Sequence, residues 1–161
     1  MFIADFQTWL DRMAKASLAG DFDQLGAAIS LPLVVLWADG LSIIQDRDQL
    51  RRVFDNQAAM IAINRVTDLV LSARTLRMLT PLKVQGDFGV EMLSNGIRVM
   101  EPFVSSVTLR RDASGWRMTK QVSGLSPRYR YLVHVDTRPV PSLFAKPPRS
   151  GPGGNSLRRS A

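Results

Sequence analysis

The sequence predicts an α+β fold, with helices first and a curved antiparallel sheet of long strands after them. Three observations carry this. Residues 2–18 and the stretches opening at Asp21 and Asp46 space their apolar side chains as helices do. Residues 66–124 read instead as four long strands in a row. Those strands are broken by Thr80-Pro81, Asn95-Gly96 and Asp112-Ala113-Ser114-Gly115, all turn-forming residues.

In the first helix, Phe2, Phe6, Trp9, Leu10 and Met13 form one apolar stripe. Gly20 suits its stop. Asp21, with Gln24 three residues on, opens a short second helix through a capping box. Phe22, Leu25 and Ile29 face inward from it, and Ser30 and Pro32 end it. Leu33–Trp37 and Leu41–Gln45 form a hairpin about the turn Ala38-Asp39-Gly40. Asp46-Arg47-Asp48-Gln49 repeats the cap signature and opens a third helix. Its inward face is Leu50, Val53, Phe54, Ala58 and Ile61.

The strands fall at 66–79, 82–94, 97–110 and 116–123. Asn95-Gly96 predicts a type I′ hairpin, because both turn positions need positive φ. Strands of about 12 residues exceed the usual five or six, which implies strong twist and curvature. Gly86 and Gly89 are the expected bulge positions. Tyr129–Val135 is readable as an added edge strand or as a segment packed on the body. The domain is expected to span residues 1–125, followed by a basic, Pro/Gly/Ser-rich and largely disordered tail, 126–161.

Composition narrows the function classes. A chain of 161 residues, 45% apolar with three Trp, is one domain with a sizeable core. No apolar run is long enough to span a bilayer, and no signal peptide is legible, so a cytoplasmic protein is expected. There is no Cys, and the lone His is His134, so neither a metal site nor a cofactor is expected. The net charge of +7 is unevenly placed. Residues 1–125 hold 14 Lys and Arg against 13 Asp and Glu, whereas 126–161 hold seven against one. Arg128, Arg130, Arg138, Lys146, Arg149, Arg158 and Arg159, with Tyr129 and Tyr131, are spread too thinly for a nucleic-acid surface. They read as a solubilising or tethering tail.

The order helix, helix, hairpin, helix, four-strand meander resembles the nuclear transport factor 2-like superfamily, with its SnoaL-like cyclases and ketosteroid isomerases. The residues that carry the likeness are Ala19-Gly20-Asp21-Phe22-Asp23, Ile44-Gln45-Asp46-Arg47 and Leu109–Arg117. The resemblance implies a cone-shaped sheet with the three helices packed on its concave face, a pocket between them, and a homodimer through the sheet. It implies no single function, since such folds host enzymes, binders and interaction modules.

The isomerase residues do not carry over. Aligned without gaps on Gly20-Asp21, the base position falls on Trp37 and the oxyanion tyrosine near Met13. The acidic partner falls around Val104–Val107. A slip of two would make Asp39 a candidate base, though Asp before Gly is first a turn residue. Glu101 and Ser105 share parity with Ile97, Val99, Phe103, Val107 and Leu109, which would bury Glu101 and raise its pKa. A bulge at Pro102 would turn it outward instead, and that reading is favoured. Asp68 and Arg74 read as a solvated face.

The expected pocket wall is Met13, Trp37, Phe88, Met92, Phe103, Ser105 and Trp116, with Met118 in the core beside it. The leading expectation is therefore a binder of an apolar small molecule without the isomerase chemistry. The alternatives are an isomerase-, cyclase- or dehydratase-like enzyme built on Glu101 with Asp39 or Asp68, and an interaction module using the sheet face.

Overall fold

A computed structural model describes residues 1–132. Three helices precede and flank a curved, open sheet: α1 (Ile3–Ala19), α2 (Phe22–Ala27) and α3 (Arg47–Ile63). The strands are β1 (Ile29–Trp37), β2 (Gly40–Ile44), β3 (Asp68–Thr80), β4 (Lys83–Ser94), β5 (Ile97–Arg98), β6 (Phe103–Asp112) and β7 (Gly115–Val122). The strand order is β2-β1-β7-β6-β4-β3, with β5 paired to β4.

The helix boundaries follow the local chemistry. Asp5 accepts a hydrogen bond from the Phe2 N–H at 2.7 Å at the start of α1. Gly20 closes that helix in the left-handed region, at φ 68°. The Asp21 carboxylate accepts from the Gln24 N–H, and Asp46 does the same for Gln49. Asn95 and Gly96 both have positive φ, 51° and 81°, as a type I′ hairpin requires.

Phe6, Trp9, Leu10 and Met13 bury the α1 stripe against the concave face of the sheet, whereas Phe2, expected in that stripe, caps the helix and is exposed. Gln7 fixes the helix to β3. Its amide donates to the Leu71 carbonyl and its carbonyl accepts from the Ala73 N–H, both at 2.7 Å. Phe6 stands over Gly86, the one place on β4 where a ring meets bare backbone.

Several expectations need correction. The sheet is mixed, because β1 returns from the helices to run parallel to β7. Ile29 belongs to β1, which continues across Pro32; neither neighbouring strand pairs with that proline, so its missing N–H costs nothing there. The segment 97–110 is two strands. Pro102 cannot donate to a ladder, pairing lapses over 100–102 after the Val99 N–H donates to the Met92 carbonyl, and Met100 tucks inward instead. The bulges of the first hairpin lie in β3, between Ala73 and Thr75 and between Met78 and Thr80, opposite an unbroken β4. On α3 the buried residues are Leu50, Phe54 and Met60, while Ile61 is only half-buried. Tyr129 lies in a tight helical turn, Pro127–Leu132, and not in an edge strand. His134 and the basic tail beyond residue 132 lie outside the described residues.

Candidate functional site

Between the concave face, α1 and α3 lies a cavity of about 230 Å³. Each wall follows from a periodicity. From α1 come Trp9, Leu10 and Met13, spaced three and four apart. From α3 come Leu50, Phe54, Gln57 and Met60. The sheet contributes alternate residues: Leu69 and Leu71, Phe88, Val90 and Met92, then Phe103, Ser105 and Val107. A register shift between Thr108 and Leu109 changes the facing of β7, so that Gln121 follows Met118 onto the cavity wall.

The wall is almost wholly apolar. Its polar side chains are Ser17, Gln57, Ser105, Gln121 and Ser123, together with the indole of Trp37, which donates to Ser42 at 3.2 Å. No Asp, Glu, Lys, Arg, His or Tyr lines it among the described residues. These residues therefore supply no group that titrates near neutral pH, and no general acid or base.

Six of the seven expected wall residues, Met13, Trp37, Phe88, Met92, Phe103 and Ser105, line the cavity. Trp116 does not. It sits at the start of β7 beside the last turn and packs on the outside of the core, where the Trp9 indole donates to its carbonyl at 3.3 Å. Trp9 thus takes the inner position.

The candidate catalytic residues are not brought together. The Glu101 side chain is 77% exposed and pairs with Arg128 at 2.6 Å. Asp39 is exposed in the turn between β1 and β2. Asp68 is exposed at the start of β3 and accepts from the Thr67 hydroxyl at 2.7 Å. Arg74 lies on the outer face, its guanidinium against Gly89. The reading that buried Glu101 by strand parity fails because parity does not pass through Pro102.

A different carboxylate has a perturbed environment. Asp87, on the outer face of β4, accepts hydrogen bonds from the hydroxyls of Ser106 and Thr75. The Ser106 and Thr75 bonds, helped by the nearby positive charge of Arg77, hold its carboxyl below the ordinary Asp range. It lies on the opposite face of the sheet from the cavity. No group of three or more His, Cys, Asp or Glu side chains is gathered at metal-binding distance among the described residues.

The architecture is one seen before. A Nostoc punctiforme protein of unknown function with a cystatin-like fold superposes with a TM-score of 0.59 at 11% identity, over 76% of this chain and 91% of that one. A nuclear transport factor 2-like protein with a cystatin-like fold from Novosphingobium aromaticivorans gives 0.56 at 14% identity, over 81% and 87%. This chain has the nuclear transport factor 2-like fold. Another protein of that fold and of unknown function, from Shewanella oneidensis, gives 0.54 at 13% identity, over 74% and 95%. No protein-family model and no curated protein matches the sequence. The likeness to these nuclear transport factor 2-like structures is one of fold, and function has to be argued from the cavity.

Sequence reasoning missed Gln57, Met60, Gln121 and Ser123. For Gln57 a signal existed: it is seven residues from Leu50 and three from Phe54, on the inward stripe. For Gln121 and Ser123 none did. Counting by twos from Met118 turns both outward, and only the register shift beside Leu109 brings them in.

Proposed function

We propose that this protein binds an apolar small molecule in the cavity between its helices and its sheet, without acid–base chemistry of its own. The observation that carries the proposal is a partly open cavity of about 230 Å³ whose wall, among the described residues, has no ionisable side chain. An apolar cavity of about 150 Å³ is enough for benzene. Drug-sized ligands need roughly 300 Å³ or more. The occupant is therefore a molecule of one or two rings, or a short chain of similar bulk. The ligand-binding unit is assigned to residues 1–125, with 126–161 as a basic extension.

The test uses the two tryptophans on the wall, Trp9 and Trp37, as reporters. Naphthalene titrated into the protein should change their fluorescence saturably. Val90→Phe fills the cavity from β4 and should abolish that change while the protein stays folded. An identical titration with the filled variant would disprove the reading.

The enzyme alternative has lost its supports, since Glu101, Asp39 and Asp68 are all exposed and none lines the cavity. A second copy of the chain is the partner that the outer sheet face best suits. Val70, Val104 and Val122 project from it with about two-fifths of their surface open, on strands already paired on both sides or packed by α1. Sedimentation equilibrium of the wild type and of Val104→Lys checks this, with a shift toward monomer expected in the variant.

A further inference from the structure

We infer that the ligand carries a single neutral oxygen, a ketone or ester carbonyl or an ether, and that Ser105, Ser123 and Gln121 recognise it. This rests on the cavity being a ligand site, and it adds the chemistry of one end of that ligand.

The three residues form one polar corner. Ser105 on β6 and Ser123 beyond the end of β7 lie one step past the paired residues Ser106 and Val122. Gln121 lies two residues before Ser123 on the same side. Ser105 and Ser123 are 2% and 8% exposed, so bulk water does not serve them. Each hydroxyl oxygen already accepts a backbone N–H: that of Gly124 at 3.1 Å for Ser105, and that of Leu125 at 3.3 Å for Ser123. What remains on each is the proton, and no acceptor among the described residues takes it. The Gln121 amide likewise makes no hydrogen bond to a described residue. Buried hydroxyl protons with no acceptor, as on Ser105 and Ser123, are costly, and a cavity lined by them favours an occupant able to accept from them.

The corner is neutral as well as donating. Among the described residues no cation lines the cavity, so a carboxylate would enter without a counter-charge from them and lose its hydration. An ammonium would meet no anion. A neutral carbonyl matches two hydroxyl donors and one amide donor, and apart from Ser17 and Gln57 the rest of the wall is apolar.

The backbone around the corner is closely packed. A Cβ on Gly124 would fall inside the Val104 carbonyl oxygen, so this strand end is packed directly onto β6. That contact fixes both hydroxyls with respect to each other. A preorganised pair of donors discriminates better than flexible ones.

The experiment compares acetophenone with α-methylstyrene, which has the same shape but a CH₂ in place of the carbonyl oxygen. Both are titrated into wild type, Ser105→Ala/Ser123→Ala and Gln121→Met, and benzoate is titrated at pH 7. The acetophenone-to-α-methylstyrene affinity ratio should fall about tenfold in the double serine variant and several-fold in Gln121→Met. Undiminished α-methylstyrene binding by the variants shows that their cavity is intact. Should the serine changes unfold the protein, Gln121→Met, which removes no bond within the fold, decides alone. A ratio unchanged by the substitutions, or benzoate binding as tightly as acetophenone, overturns the inference and leaves the cavity reading standing. If neither neutral probe binds the wild type, the cavity reading falls and this inference with it.

Discussion

Gly86 allows the contact between α1 and the sheet to be tested with numbers. A Cβ at that position would lie 2.5 Å from Cε1 and Cζ of Phe6. Carbon atoms in contact sit about 3.5–4.0 Å apart, so the ring would have to retreat by about 1 Å or more. It has little room to do so. Phe6 is 0% exposed, stacks on Trp9 and meets the edge of Phe88. Gly86→Ala should therefore destabilise by about 2 kcal/mol, an overpacking cost reduced slightly by the stiffer unfolded chain. For a chain of this size that lowers Tm by roughly 4–8 °C.

Gly89, three residues along on the other face of the same strand, is the control. A Cβ there would meet only the guanidinium of Arg74, at 3.3 Å, and that side chain is exposed and free to swing. Gly89→Ala should stay within about 0.5 kcal/mol of wild type, on either side. The assay is urea unfolding of both variants, of Phe6→Leu and of Phe6→Leu/Gly86→Ala. The double variant should recover at least about 1 kcal/mol of the clash as a coupling energy. Equal effects at the two glycines, or additive behaviour of Phe6 and Gly86, would refute the account of how α1 is seated.

Three further outcomes are expected. Gly124→Ala should cost about 3 kcal/mol in chemical denaturation, because the new methyl group meets backbone and breaks the bond to Ser105. Asp87→Asn removes a carboxylate whose folded pKa is lowered, so the stability it contributes is fully present above the unfolded value. That contribution fades as pH falls below about 3.8 through the lowered pKa. Wild type should be the more stable of the two at pH 7, and the gap should close in acid when unfolding is followed by circular dichroism from pH 7 to pH 2. Glu101→Gln disrupts only an exposed pair with Arg128, so stability should change by less than about 1 kcal/mol and naphthalene affinity should be unchanged.

The elements whose signals are local were legible in the sequence. The Asp21 and Asp46 caps, the Gly20 stop and the Asn95-Gly96 turn depend on residues within four positions of one another, and they stand where the pattern placed them. The element order, and with it the α+β class, follows from those punctuation marks. The wall residues on helices were half-legible: the stripe through Trp9 and Met13 shows at helical period. Its match on α3 was misjudged by one position at Ile61, because period alone does not say where a stripe ends.

What the sequence by itself determined, then, is the order of the main helices and strands and which residues are apolar enough to line a space. The tertiary structure decided which way the strands face. Pairing lapses at Pro102, so Glu101, which parity alone would bury, stands in solvent with Arg128. The register shift beside Leu109 turns Gln121 and Ser123 into the cavity. Gly86, which reads as a bulge, lies in a regular strand and makes room for a ring from eighty residues away. Side-chain direction on a strand alternates strictly, so one irregularity reverses every residue after it. Such irregularities arise from pairing between distant segments, and local sequence does not encode them.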